Sequence, residues 1–337
     1  MQRLKMAVVG AGVMGQTHAR TIAECDSAEL VAIVDVNATL GAQVANRFGA
    51  KYISSIEEAM EDRSIDAFTV ALPDRLHVDA ASKLLSGGKA VLLEKPMADT
   101  LEGARKIAEA AKRGDARLMV AQLLRFDPRY ATAAARVRSG EIGDVVHVNA
   151  KRFSYQDVGI RMKGSSSVMF YLGVHDVDAM QWVTGQKVKS VFARAVSKIM
   201  PLNGVNSEDA IFATCLYEDG SIGNLSISWG IPSYAPSGIN AGLEIVGTKG
   251  IIKVDTADHG ISVMNSDKIE LPDALHWPEV HGLITGDLKD EVLHFVRAVR
   301  DNKPFVISVE EAMQAVAVND AILKSVETGG IVEVEAL

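Results

Sequence analysis

The sequence has no long apolar run, no basic cluster and almost no cysteine, and each shortage excludes something. No segment reaches the about 18 consecutive apolar residues of a membrane-spanning helix. Met1-Gln2-Arg3-Leu4-Lys5 leads directly into Met6-Ala7-Val8-Val9, too short an apolar stretch for a secretory leader. A cytoplasmic protein with no membrane partner is therefore expected. The only cysteines, Cys25 and Cys215, stand far apart and lack metal-ligand spacing, so they read as reduced packing residues. The net charge is −8 and no Lys/Arg run stands out, which leaves nucleic-acid binding without support. There is no metal-binding constellation, no serine or cysteine nucleophile motif, no internal repeat and no low-complexity tract.

What the chain does have is ordered. Its 337 residues suffice for two domains, with an ordinary balance of 48% hydrophobic and 23% charged residues. Met6 to Val9 is an apolar strand running into Gly10-Ala11-Gly12-Val13-Met14-Gly15. A helical stretch, Thr17 to Glu24, follows. A second strand, Leu30 to Val34, ends at Asp35, twenty positions past Gly15. Strand, glycine turn, helix, strand and acid together are the context of a dinucleotide site. Gly10 permits the turn, Gly12 lets backbone approach a pyrophosphate, and Gly15 lets helix and strand pack closely. Asp35 can accept hydrogen bonds from both hydroxyls of the NAD ribose.

The alternation continues. Asn37 caps a helix closed by Gly49, and Ser55 to Glu58 form a capping box. Ala67 to Ala71 is a strand broken by Pro73, and His77 lies in the first turn of the next helix. Ala90-Val91-Leu92-Leu93 is a buried strand that delivers Glu94-Lys95 and stops at Pro96. Ligands of open α/β sheets sit beyond strand carboxyl ends, so Lys95 is placed at a ligand. Glu94 precedes it in the strand and points the other way. Leu118 to Ala121 is one more strand. A doubly wound parallel sheet over residues 1–122 is the expected first domain.

Residues 123–337 are expected to form a second, α/β domain with a large, mostly antiparallel open sheet. Asp127-Pro128 opens a helix. Val145 to Tyr155, Val188 to Arg194, Asp209 to Tyr217, Ser221 to Trp229, Leu243 to Gly247 and Ile251 to Val254 read as strands. Turns at Glu218-Asp219-Gly220 and Thr248-Lys249-Gly250 join some of them, with glycine expected to supply positive φ. Phe212, Leu216, Leu225 and Ile227 have no evident helix to cover them, which predicts a homodimer or homotetramer joined through this sheet. One helix, about Ser167 to Val183, aligns Tyr171, His175, Asp178 and Trp182 in a stripe. A phenol, an imidazole and a carboxylate on one face exceed what a core stripe requires. The stretches Asn203 to Ser207 and Pro232 to Gly238 read as loops. So does Gln156 to Ser166, which with Tyr234 and His281 is expected to set specificity.

The chain resembles the glucose–fructose oxidoreductase / inositol dehydrogenase / MocA family over nearly its whole length. The matching pieces are Gly10 to Gly15 with His18, Asp35, Pro73 with His77, Gly88-Lys89 leading to Glu94-Lys95-Pro96, Arg125-Phe126-Asp127-Pro128, and Gly173-Val174-His175-Asp176-Val177-Asp178. The resemblance implies an N-terminal Rossmann domain, a C-terminal open-sheet domain and a nicotinamide cofactor, for which Asp35 makes NAD the expected form. It also implies oxidation of a secondary hydroxyl on a small sugar, sugar derivative or cyclitol. Many members carry an Asp four residues before the helix histidine, where Tyr171 stands here, and some relatives use a tyrosine in this region as acid or base. The expected catalytic set is Lys95, His175 and Tyr171, with Asp178 fixing the imidazole tautomer and Tyr155 joining them in substrate binding. The expected cofactor set is Gly10, Gly12, Val13, Met14, Gly15, Asp35, Val36, Leu72, Pro73, His77, Glu94, Lys95 and Gln122. Gln122 replaces a ring side chain of some relatives. Two other functions fit the same resemblance: an NAD-assisted glycosidase or lyase using transient sugar oxidation, and a non-catalytic cofactor-sensing regulator. The retained Lys95 and His175 argue against the regulator.

Overall fold

The computed structural model describes residues 3–337; Met1 and Gln2, part of the reading of the chain start, lie outside the described residues. The chain divides into two compact units, Met1–Leu123 with His276–Met313, and Leu124–Leu275 with Gln314–Leu337. The first division falls one residue past Gln122. The expectation of a continuous second domain over 123–337 needs correction, because residues 276–313 return to the first unit.

The first unit begins with β1 (Leu4–Val9), α1 (Val13–Ala23), β2 (Ala28–Val34), α2 (Ala38–Phe48), β3 (Lys51–Ile53), α3 (Ile56–Glu61), β4 (Ala67–Val70), α4 (His77–Ser86), β5 (Ala90–Glu94), α5 (Leu101–Arg113) and β6 (Leu118–Ala121). The six strands are parallel, in the order β3-β2-β1-β4-β5-β6. Strand order reverses between β1 and β4, the switch point where such sheets take dinucleotides. Every residue of β4, β5 and β6 is buried, which is why these segments are apolar without alternation. Helix starts follow local chemistry: Asn37 accepts from the Leu40 N–H and Thr100 from the Gly103 N–H. The first helix starts earlier than Thr17, because Gly12 serves as its N-cap.

The second unit holds α6 (Pro128–Arg138), β7 (Val145–Tyr155), α7 (Gln156–Met162), α8 (Val174–Thr184), β8 (Val188–Val196), α9 (Ile199–Leu202), β9 (Ala210–Tyr217), β10 (Ile222–Ile231), β11 (Ile239–Gly247), β12 (Ile251–Asp255), β13 (Val263–Met264) and β14 (Ile269–Glu270). The chain then gives β15 (Glu279–Val280), β16 (Leu283–Ile284) and α10 (Asp287–Arg300) to the first unit. There α10 packs against α1 through Leu288, Val292 and Phe295, an apolar stripe at helical spacing that explains the return. Helix α11 (Val309–Thr328) opens with a reciprocal capping box between Ser308 and Glu311, and β17 (Ile331–Glu333) ends the fold.

Seven strands of the second unit form one sheet, β12-β11-β7-β10-β9-β8-β17, in which only β7 and β10 run parallel. One face carries the core, with Val148, Leu225, Ile227 and Ile245 packed among Tyr130, Val177, Met180, Val318 and Ile322. The other face exposes Phe192, Phe212, Leu216 and Ile222. Leu225 and Ile227, expected on the uncovered face, are corrected to the core face. They fall opposite Ala213 and Ile211 of β9, out of phase with Phe212 by one residue.

Two smaller expectations are also revised. Gln156 to Ser166 is not a loop throughout, since Gln156–Met162 is helical and closes at Lys163 in the left-handed region. Gly220 has the positive φ its turn requires, but Gly250 does not. Gly250 is constrained by proximity instead: a Cβ there would lie 3.2 Å from the Ile142 side chain.

Candidate active site

In the first unit, the glycine turn between β1 and α1 is shaped by close approach. A Cβ on Gly15 would lie 1.8 Å from the Gly10 carbonyl oxygen, and one on Gly10 would lie 2.3 Å from that of Ala71. Gly12, by contrast, would meet nothing within 4 Å. Backbone N–H groups of the first turn of α1 thus stand beside open space, with no acidic residue in that turn and no side-chain cap. Asp35 closes the far end of β2. Its Oδ2 accepts from the Ala11 N–H at 2.7 Å and its Oδ1 from the Asn37 N–H at 2.7 Å. Those bonds lock the carboxylate against the glycine turn and leave each oxygen further acceptor capacity. Val13, Val36 and Pro73 are exposed, Met14 and Leu72 half-buried.

The end of β5 is held from both sides. Glu94 Oε1 lies 2.8 Å from His18 Nε2, and its Oε2 accepts from the Lys95 N–H at 3.2 Å. Burial pushes the Glu94 carboxyl up, but His18, Lys95 and His77 outweigh it and hold it below the ordinary carboxylate range. The Glu94 carboxylate is thus tied to His18 and to the Lys95 backbone, and Lys95 itself is half-buried. His77 is buried, its Nδ1 2.8 Å from the Pro96 carbonyl and its Nε2 2.9 Å from that of Leu72. It ties two strand-end segments together. Gln122 is buried at the end of β6, and neither atom of its amide has a partner among the described residues. Open backbone donors, an acid at the end of β2 with acceptor capacity left over and a buried amide all suit a nicotinamide dinucleotide.

In the second unit, a π-helical turn, Met169–Gly173, feeds directly into α8. Such turns recur at functional sites. Tyr171 lies in this turn and His175 in the first turn of α8, both half-buried. The Tyr171 ring sits 5.3 Å from that of Trp229, tilted by 52°. Asp178 is fully buried, and both its oxygens accept from Arg125, at 2.9 and 2.7 Å. The role expected for Asp178, orienting His175, is thus preceded by a bidentate pair with Arg125. Arg152 holds Asp176 in the same way, at 2.7 and 3.2 Å. Trp182 completes the expected stripe, with the guanidinium groups of Arg125 and Arg138 each 5.5 Å from its ring. Tyr155 donates to the Ala235 carbonyl at 2.7 Å, so its hydroxyl anchors the 232–238 segment. The arginine partners escaped the sequence reading. A pairing across 53 positions carries no local signal, although Arg125 lies in a motif that had been noted. The cysteines are packing residues: both are buried, and burial pushes the Cys215 thiol up to about 12.

A dinucleotide site at a Rossmann switch point, with a lysine at the neighbouring strand end, defines an NAD-dependent oxidoreductase acting on CH–OH groups. Comparison with known proteins agrees. Residues 4–122 match the oxidoreductase family with an NAD-binding Rossmann fold, and residues 130–253 match the GFO/IDH/MocA C-terminal domain. The chain belongs to this GFO/IDH/MocA family. It is 27% identical to the rhizopine catabolism protein MocA of Rhizobium meliloti, covering 95% of this chain and 94% of that protein. It is also 27% identical to scyllo-inositol 2-dehydrogenase (NAD(+)) of Bacillus subtilis, covering 99% and 97%. Among solved structures, GenD2 from gentamicin A biosynthesis, in complex with NAD, superposes with a TM-score of 0.87 at 26% identity, covering 100% and 97%. Among the described residues, no helix is long and apolar enough to cross a membrane.

Proposed function

We propose that this protein oxidises a secondary ring hydroxyl of a cyclitol or a closely related sugar, with NAD as acceptor. The observation that carries the reading is the pairing of a locked Asp35 with a strand end that presents Lys95. Bound NAD supplies the hydride acceptor. The proton and the developing alkoxide fall to side chains. Lys95 donates a hydrogen bond to the substrate oxygen, His175 takes the proton, and Tyr171 serves as auxiliary acid or base. The inositol dehydrogenases among the relatives support a cyclitol as the first substrate to try. Asp35 favours NAD over NADP. A 2′-phosphate about 4 Å from its carboxylate costs roughly 1 to 4 kcal/mol at surface-like dielectric, and the exposed neighbour Val36 offers no cation.

The test is a panel of inositols, sugars and sugar acids, followed by NADH absorbance. Net NADH production from a free cyclitol or sugar is expected, with NAD preferred to NADP and the preference narrowed by Asp35→Ser. Turnover of a glycoside without net NADH would replace this reading with the glycosidase or lyase reaction. Higher efficiency with NADP would remove the role given to Asp35.

The uncovered face of the seven-stranded sheet supports a homo-oligomer, and a cytoplasmic setting would supply its NAD. Phe192, Phe212, Leu216 and Ile222 would together leave a broad apolar patch on a monomer. Asn224 bridges Asn149 and Thr214 on the same face, giving it polar groups that specify register. Light scattering at micromolar concentration is expected to give a dimer or tetramer mass, lowered by Phe212→Glu. A monomeric mass for the wild type would refute this assembly.

A further inference from the structure

Helix α10 carries an acid that the dinucleotide site does not account for. Glu291 is fully buried, and neither of its carboxyl oxygens has a hydrogen-bond partner among the described residues. It lies on the same face of α10 as Leu288, Val292 and Phe295, the face packed toward α1, which carries His18. The groups acting on it are also acidic: Glu94 at the end of β5, and Asp287 one turn earlier on α10. Asp287 has its own partner, with Oδ2 2.8 Å from His276 Nδ1. Glu94 has His18 at 2.8 Å and the Lys95 N–H.

A buried carboxylate with no hydrogen bond and two acids for neighbours is costly to keep charged. Where two carboxyls repel each other through a buried region, their other partners decide which of them keeps its charge. Here His18 and Lys95 favour charge on Glu94. Nothing comparable serves Glu291. We propose that Glu291 is a positioning residue for the end of β5: it remains a neutral acid, and its neutrality lets Glu94 stay locked between His18 and the Lys95 backbone. Ionising Glu291 sets a like charge against Glu94 and loosens the segment that presents Lys95. The functional half of this inference rests on the role of Lys95 given above.

Burial, then Glu94, then Asp287, push the Glu291 carboxyl well above the ordinary range. A folded-state value raised above the unfolded one means that the folded chain holds a proton the unfolded chain has lost. The stabilisation is complete below the unfolded value near 4.5 and disappears as pH rises through the folded value. Neutral substitutes remove that dependence.

The experiment compares wild type, Glu291→Gln and the similarly sized Glu291→Met from about pH 6 to about pH 9. Thermal unfolding midpoints are read first, because they need no substrate. The wild-type midpoint is expected to fall with pH by several degrees more than that of either variant. The infrared spectrum of the wild type is expected to show a protonated-carboxyl band that Glu291→Gln lacks. The pH profile of kcat/KM is read last, and its alkaline fall is expected to move up by about one pH unit in Glu291→Gln. Parallel midpoint curves, or no protonated-carboxyl band, would overturn the neutral acid. Divergent midpoints with superimposable kcat/KM profiles would overturn the positioning role. Failure of the Lys95 assignment appears separately, as an active Lys95→Ala enzyme.

Discussion

Lys95→Ala and His175→Ala are each expected to lower kcat by about 10²-fold or more, while NAD binding largely survives. Removing a hydride from carbon leaves negative charge on the alcohol oxygen unless a proton departs and a donor faces the oxygen. Lys95 has the features of that donor. Its backbone is fixed by the Glu94 carboxylate and its side chain is half-buried at a strand end. His175 has the chemistry of the base, since an imidazole's ordinary pKa of about 6.5 lies near neutral pH. Tyr171→Phe decides between them, because Tyr171 lies in the π-helical turn four residues before His175. Loss of turnover in Tyr171→Phe with a mild His175→Ala would make the tyrosine the base. Near-wild-type kcat in both variants would remove this helix from the chemistry. Isothermal titration with NAD separates a catalytic loss from a binding loss in each variant.

The first unit was more legible than the second, for a physical reason. A parallel strand buried on both faces must be apolar throughout, so Ala90 to Leu93 announced β5 without any neighbour. Its caps and glycines are equally local: Asn37 with Leu40, and Gly10 with Gly15, act over a few residues. In the second unit the alternation gave the strands but not their phase against the core. Leu225 and Phe212 look alike in sequence and lie on opposite faces, because pairing with β9 fixes the phase. The return of α10 to the first unit was hidden for the same reason, since its apolar stripe shows that it packs and not where. For the candidate site residues, the places of the glycine motif, Asp35 and Lys95 at the ends of β1, β2 and β5 were readable from the sequence. The partners of His18, Asp178 and Asp176 were not, because each pair joins distant segments.

The Arg125–Asp178 pair makes the other large prediction. Both side chains are almost entirely shielded from water, and two parallel N–H···O bonds join them at 2.9 and 2.7 Å. Removing one partner leaves the other charged group buried without it. Asp178→Leu or Arg125→Met alone is therefore expected to cost about 3 to 5 kcal/mol, or roughly 10 °C in the unfolding midpoint of a unit this size. The double replacement leaves no stranded charge, and apolar groups of similar volume often equal a buried ion pair in stability. It is expected to recover most of the lost midpoint. Activity is expected to behave differently. Asp178 lies three residues after His175 on α8, where such spacing places side chains on one helix face. A fixed Asp178 therefore fixes the rotation with which α8 presents His175, and apolar packing does not specify that rotation as closely as a bidentate pair. The double variant should stay at least about tenfold below wild type in kcat while its midpoint recovers. Recovery of both together would reduce the pair to a packing element. A double variant no more stable than the singles would show instead that the pair is not the source of the loss.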